Sequence, residues 1–328
     1  MSGAEENTFP TGPATPDDGT AGPRSWIGKA FSSVSLSAAI IVMLSLGGVM
    51  YTLSIGAAPA LKEFGLGFLT AEVWNPVTSQ FGAAAPIAGT LETALIAMLI
   101  GVPISVGIAI FLTELCPEKL RHGFAITIEL LAGIPSIIYG IWGLFVLAPY
   151  MQRHIQPFLI DRFGDIPIIG NLFQGPPYGI GILTAGLILG VMVLPFITTV
   201  TRDVFLTVPS LQRESAYALG ATTTEVIWNV VIPYSKVGML GAIMLGLGRA
   251  LGETMAVTFV IGNAHRISAS ILAPGTTISA SIANEFTEAT TPIYTSSLFA
   301  LGLILFVITF IVLSVAQYML HRIKKAEG

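Results

Sequence analysis

The chain has 328 residues, of which 53% are hydrophobic and only 10% charged, with a formal net charge of −4. A soluble globular protein carries about a quarter charged residues, so this composition, with a mean hydropathy of +0.79, excludes an ordinary soluble enzyme. A pI near 5.6 and no basic stripe exclude a nucleic-acid binder.

Residues 1–28 are rich in Pro, Gly and Thr, with acid at Glu5, Glu6, Asp17 and Asp18. Such a segment buries too little apolar surface to order, so a disordered cytoplasmic tail is expected, followed by a transmembrane domain over 29–328. Six apolar stretches then follow, each long enough to cross about 30 Å of hydrocarbon with roughly 20 helical residues. They are Ser33 to Ile55, Ala88 to Leu115, Phe124 to Pro149, Gly179 to Val200, Val237 to Asn263, and one within Ala289 to Leu320. None alternates as a strand would, so the chain reads as an all-α integral membrane bundle of six spans, surrounded by lipid. Ala58-Pro59-Ala60 has the look of a leader-peptidase site, but the apolar run before it is about twice a leader's length and follows an acidic tail, which favours an uncleaved first helix.

Lys and Arg counted over alternate loops give ten on one side (Arg24, Lys29, Lys119, Arg121, Arg202, Arg213, Lys236, Arg322, Lys324, Lys325) and four on the other (Lys62, Arg153, Arg162, Arg266), with Arg249 inside a span. The richer side is cytoplasmic, so both termini are expected inside. The outer loops 56–87, 150–178 and 264–288 are long, the inner turn 116–123 is tight, and the inner loop 201–236 has a helical look.

In that inner loop Pro209 and Ser210 supply a helix start and Glu214 sits in an early turn. The small residues Ser215, Ala216 and Ala218 leave a surface low enough to enter a groove on a partner. Gly220 permits a sharp bend into a second short helix that Pro233 is expected to stop. The pattern Glu214-Ser215-Ala216…Gly220…Val230-Val231-Ile232-Pro233 resembles the E-A-A-x3-G-x9-I-x-L-P loop of ABC-importer permeases, with Ser215 in place of the first Ala and two aliphatics exchanged.

The resemblance extends to Ala132-Gly133-Ile134-Pro135-Ser136-Ile137-Ile138-Tyr139-Gly140, to Gly175-Pro176-Pro177-Tyr178-Gly179, and to Gly248-Arg249-Ala250-Leu251-Gly252-Glu253-Thr254-Met255-Ala256-Val257. Over roughly residues 88–320 the chain is similar to the PstC-type permease subunits of bacterial phosphate ABC importers, a family of binding-protein-dependent transport permeases. The resemblance implies the bacterial inner membrane and a coupling helix seated on a cytoplasmic ATPase dimer. It also implies a second, PstA-like permease, an extracytoplasmic phosphate-binding protein docked on the outer loops, and phosphate as cargo held by Arg249 and Glu253. No internal repeat is detectable, which favours a path between two permeases over one within this chain.

An arginine in mid-membrane costs about 2.5–3.5 kcal/mol on insertion scales, so such residues face a partner or a water-filled path. Arg249 and Glu253 are four apart and, if helical, share a face; Gly248 and Gly252 lie in GxxxG spacing beside them. One reading is a salt bridge that only joins helices. The other is a substrate station, in which the guanidinium fork meets two phosphate oxygens and the carboxylate accepts a hydrogen bond from the P–OH that sulfate lacks. Ser136 and Tyr139, after Pro135 in a Gly/Pro-weakened helix, are further candidates for the path.

Glu92 and Glu129 read as interfacial or bundle-facing. Glu114 and Glu118 read as solvated charges or ATPase contacts beside the inner turn, and Cys116 as a small buried hydrophobe. Trp74, Trp142, Tyr150 and Tyr178 read as interface-belt aromatics. Four scattered histidines and one cysteine offer no metal-ligand spacing, no catalytic motif is present, and no cofactor is expected. Rival readings are an importer permease for sulfate or molybdate, an ion-coupled phosphate carrier, and a non-transporting membrane scaffold.

Overall fold

The computed structural model describes residues 24–167 and 169–327. The expected tail therefore lies outside the described residues up to position 23, and Arg24 opens the first helix, α1 (Arg24–Phe64). The chain divides into two units at Tyr51/Thr52. Up to Tyr51, α1 exposes the apolar side chains of a helix solvated by something other than its own chain. The packing contacts and cavities lie in the second unit.

Among the described residues five helices are long and apolar enough to cross a membrane: α1, α2 (Ala84–Leu115), α5 (Ile182–Leu206), α7 (Thr223–Gly252) and α9 (Pro292–Glu327). A sixth crossing is available only as a bent pair, α3 (Glu118–Ala132) and α4 (Ser136–Phe163), which meet at 89°. The single helix expected over Phe124 to Pro149 is thus broken at Gly133-Ile134-Pro135. Pro135 offers no N–H and pushes Ile134 out of helical conformation, so the ladder must stop there. The Tyr139 hydroxyl donates to the Leu131 carbonyl across the elbow at 2.8 Å, beside the Ile134 N–H that donates to the same carbonyl at 3.4 Å.

The most enclosed helix is α5, and it packs on α2 through small residues. A side chain at Gly101 would meet Val193 and the Gly190 carbonyl, and one at Gly186 would strike Ile96. Close backbones with polar links are how helices associate where lipid cancels the hydrophobic drive. Here Ser105 donates to the Leu194 carbonyl at 3.2 Å and Thr198 donates back to the Ser105 carbonyl at 3.4 Å. In α1, Pro59 breaks the ladder, and the Ser296 hydroxyl of α9 inserts there, donating to the Gly56 carbonyl and accepting from the Ala60 N–H.

On the side where α1 ends and α9 begins, one carboxylate ties four segments together. Glu285, at the end of the short helix α8 (Ile278–Glu285), accepts from Trp74 Nε1 at 3.0 Å and from the Tyr294 hydroxyl, with His265 Nε2 at 3.4 Å. Trp74 lies stacked on His265, ring centroids 5.1 Å apart. The belt role expected for Trp74 is therefore corrected: it is half-buried and its indole nitrogen is committed to Glu285.

Burial pushes the Glu285 carboxyl upward, but hydrogen bonds from His265, Tyr294 and Trp74 outweigh it and bring the pKa from 4.5 down to about 2. A depressed carboxyl pKa stabilises the fold above the unfolded value and loses that contribution as pH falls through the folded one. Between pH 4.5 and about 2, amide protection in segments 71–83 and 263–277, corrected for intrinsic exchange, is expected to fall. In Glu285→Gln the protection should no longer change over that window; a variant with the parent's profile would show that another group titrates.

Candidate functional site

Arg249 stands in the last turn of α7, which ends at Gly252, short of the Asn263 expected from the sequence. Glu253 is already extended (φ −71°, ψ 132°). The shared helix face expected for Arg249 and Glu253 therefore does not form, and among the described residues no ion pair joins them. The Glu253 carboxylate instead accepts from the Ala256 N–H at 3.4 Å, at the head of the single turn Met255–Thr258. Its carbonyl accepts from the Ser279 hydroxyl at 2.9 Å.

The Arg249 guanidinium lies over the Phe196 ring of α5, its Cζ 4.2 Å from the centroid. A ring face attracts the cation through its π-system while leaving N–H donors of the guanidinium for a further partner. Its Nε is buried with no hydrogen-bond partner, a cost that an arriving anion would relieve. Arg249 and Phe196 face an open cavity of about 550 Å³ between α7 and α9, with Gly248, Thr309 and Gln317 on its walls. Glu253, Ser136 and Tyr139 do not line this cavity. Ser136 opens α4, and Tyr139 is buried, braces the elbow and borders a separate apolar cleft with Ile138 and Trp142.

The second site is the connection between α5 and α7. It is shorter than the loop expected over 201–236, because α5 runs on to Leu206 and α7 begins at Thr223. Between them α6 (Ser210–Ala218) ends at a turn where the Gly220 φ of +89° suits glycine. Pro233 does not stop a helix, contrary to expectation. It falls just after a wide π turn, Ile227–Val231, that leads straight into the rest of α7. The widened turn removes the clash a proline would otherwise make within a continuing helix. Ser215, Ala216 and Pro233 line one shallow groove of about 610 Å³ together with Leu219 and Tyr234, while Glu214 is exposed on α6.

The family described as binding-protein-dependent transport system inner membrane component matches residues 101–325. A phosphate transport system permease protein PstC from Mesorhizobium japonicum is 63% identical over 298 residues, 91% of each chain. This chain belongs to the PstC family of transport permeases. A PstC protein of Pasteurella multocida is 56% identical over 290 residues, 88% of this chain and 90% of its own. Among solved structures, a chain of a bacterial alginate ABC transporter, crystallised with an alginate-pentasaccharide-bound periplasmic protein, is 19% identical. It superposes with a TM-score of 0.60 over 92% of this chain and 96% of its own, a likeness of fold. A PstC-type permease is a multi-pass membrane component of an ABC importer and not itself the catalyst.

Two features of this PstC-type permease escaped the sequence reading. Thr222 and Glu225 form a capping box at the head of α7, Glu225 accepting from the Thr222 N–H at 2.7 Å while its own N–H donates to the Thr222 hydroxyl; the T-x-x-E spacing was there to be read. Glu114, expected to be a solvated charge or ATPase contact, is buried with 7% of its side chain exposed and pairs with Arg213 of α6 at 3.1 Å. No local spacing signals a partner 99 positions away.

Proposed function

We propose that this chain is the translocation subunit of an ATP-driven importer of inorganic phosphate, working by alternating access with a PstA-like permease. In this reading both termini are cytoplasmic, α6 and the 610 Å³ groove beside it seat a cytoplasmic ATPase dimer, and the outer segments receive a phosphate-binding protein. The observation that carries it is Arg249, a guanidinium steadied by Phe196 with a buried, unpartnered Nε beside a cavity. Relatives described as phosphate transport permeases support phosphate over other oxyanions. Glu253, in the turn that follows, completes the proposed station by accepting from P–OH once the cargo reaches it. Ser136 and Tyr139 act at one remove in this reading, by fixing the elbow against which that turn packs.

ATP binding closes the ATPase dimer, shifts the coupling helices and exposes the path alternately to the two sides, the different affinity of ATP for the two states driving the switch; hydrolysis to ADP and phosphate resets the dimer and supplies the free energy of each cycle. The test is to purify the chain with its membrane and ATPase partners, reconstitute it in vesicles, and supply ATP, binding protein and labelled phosphate. Uptake that requires ATP and resists excess sulfate is expected. Uptake driven by a proton gradient with no ATPase present would overturn the proposal in favour of an ion-coupled carrier.

A further inference from the structure

Arg213 lies on the inner face of α6, three positions from Ala216, which packs against the buried cluster of Ala109, Phe205, Val208, Val226 and Val231. Its guanidinium is mostly buried and reaches two other helices at once. One terminal nitrogen donates to the Phe205 carbonyl, in the last turn of α5, at 2.6 Å. The same nitrogen pairs with Glu114 Oε1, at the end of α2, at 3.1 Å. Arg121 of α3 closes the same end of α2, donating to the Thr113 and Cys116 carbonyls at 3.2 and 3.4 Å.

The pair touches at one point only, and without hydrogen-bond geometry: Glu114 Oε1 lies 3.1 Å from the terminal nitrogen yet, like Arg213 Nε, is buried with no hydrogen bond. A guanidinium and a carboxylate form their strongest contact as a two-point fork, so this geometry holds a second arrangement in reserve. Breaking such a buried pair is costly, whereas closing it into a fork would add hydrogen bonds that the present contact lacks. The element it moves is the one that matters: Phe205 and Phe196 lie nine positions apart on α5, about 14 Å along a helix axis, and Phe196 is the ring beneath Arg249.

We propose that Arg213 and Glu114 form a strut that carries displacement of the coupling helix into α2 and α5, switching between one-point and forked pairing as the path changes access. Both are positioning residues; neither touches the cargo. The inference rests on the reading of α6 as the ATPase contact.

The test uses the complete reconstituted importer, with ATPase retention, ATP hydrolysis and phosphate uptake read in one preparation. In Glu114→Gln and Arg213→Gln the ATPase should be retained and hydrolysis held within about twofold, while phosphate moved per ATP falls about tenfold, in the range of an ordinary coupling free energy. Arg213→Lys keeps the charge and should recover part of the ratio. The double variant should cost no more than Arg213→Gln alone, because the two act as one unit. An unchanged ratio in the assembled Glu114→Gln importer would overturn the strut, as would hydrolysis and uptake declining together. If the parent chain itself retains no ATPase, the reading of α6 fails instead.

Discussion

Replacing Arg249 by glutamine is expected to reduce phosphate uptake by about a hundredfold or more, as removing one member of a desolvated charge pair does, while membrane insertion and partner retention stay intact. The variant keeps a polar side chain with an amide NH2 donor, though one two bonds shorter, and loses the fixed charge that draws a dianion out of water. Arg249→Lys is the more discriminating change. It restores the charge without the planar fork or the ring contact with Phe196, so uptake should return only in part, about tenfold below the parent. Initial uptake rates in reconstituted vesicles, with partner retention measured alongside, decide the matter. Parent-like uptake by Arg249→Gln would leave the residue a merely structural role. Among the described residues the side chain has no acid partner whose loss could explain a defect, and Glu253 bonds elsewhere.

The second large effect is expected at Gly89→Ala. A Cβ at Gly89 would lie 2.0 Å from the Thr276 carbonyl oxygen, which is backbone and cannot rotate away. The adjacent Thr90 hydroxyl accepts from the Ile278 N–H at 3.0 Å, so this is where α2 receives the start of α8. Overpacking of this kind costs about 1–3 kcal/mol, read as a lower melting temperature of the detergent-solubilised chain. Gly107→Ala, on the same helix with open space around it, should be neutral or stabilising by about 0.5–1 kcal/mol. Equal melting temperatures for the two variants would mean that α2 and the 276–278 segment are not held at backbone contact.

What the sequence disclosed follows the range of the forces involved. The apolar spans were legible because burial in hydrocarbon acts on every residue of a run, and the six stretches reappear as five long helices and a bent pair. The Gly220 turn was legible because its chemistry is local. Pro233 misled because a proline's local rule assumes a regular helix before it, whereas the turn at Ile227–Val231 is π-wound. The Arg249–Glu253 pairing misled for a related reason: i,i+4 spacing means proximity only while the helix lasts, and it ends at Gly252. Glu114 and Trp74 were misjudged because their partners, Arg213 and Glu285, come from distant segments. Arg249 stood out for the opposite reason, since the cost of an isolated charge in oil is visible in one residue.

The elbow between α3 and α4 bears on how the protein is made. Its 89° turn leaves main-chain groups that acyl chains cannot satisfy, and Gly140, just past it, is covered by Met255, Ala256 and Phe259. Those covering residues leave the ribosome more than a hundred codons later. The packing of Gly140 against residues 255–259 can therefore form only after the distal half of the chain has been synthesised.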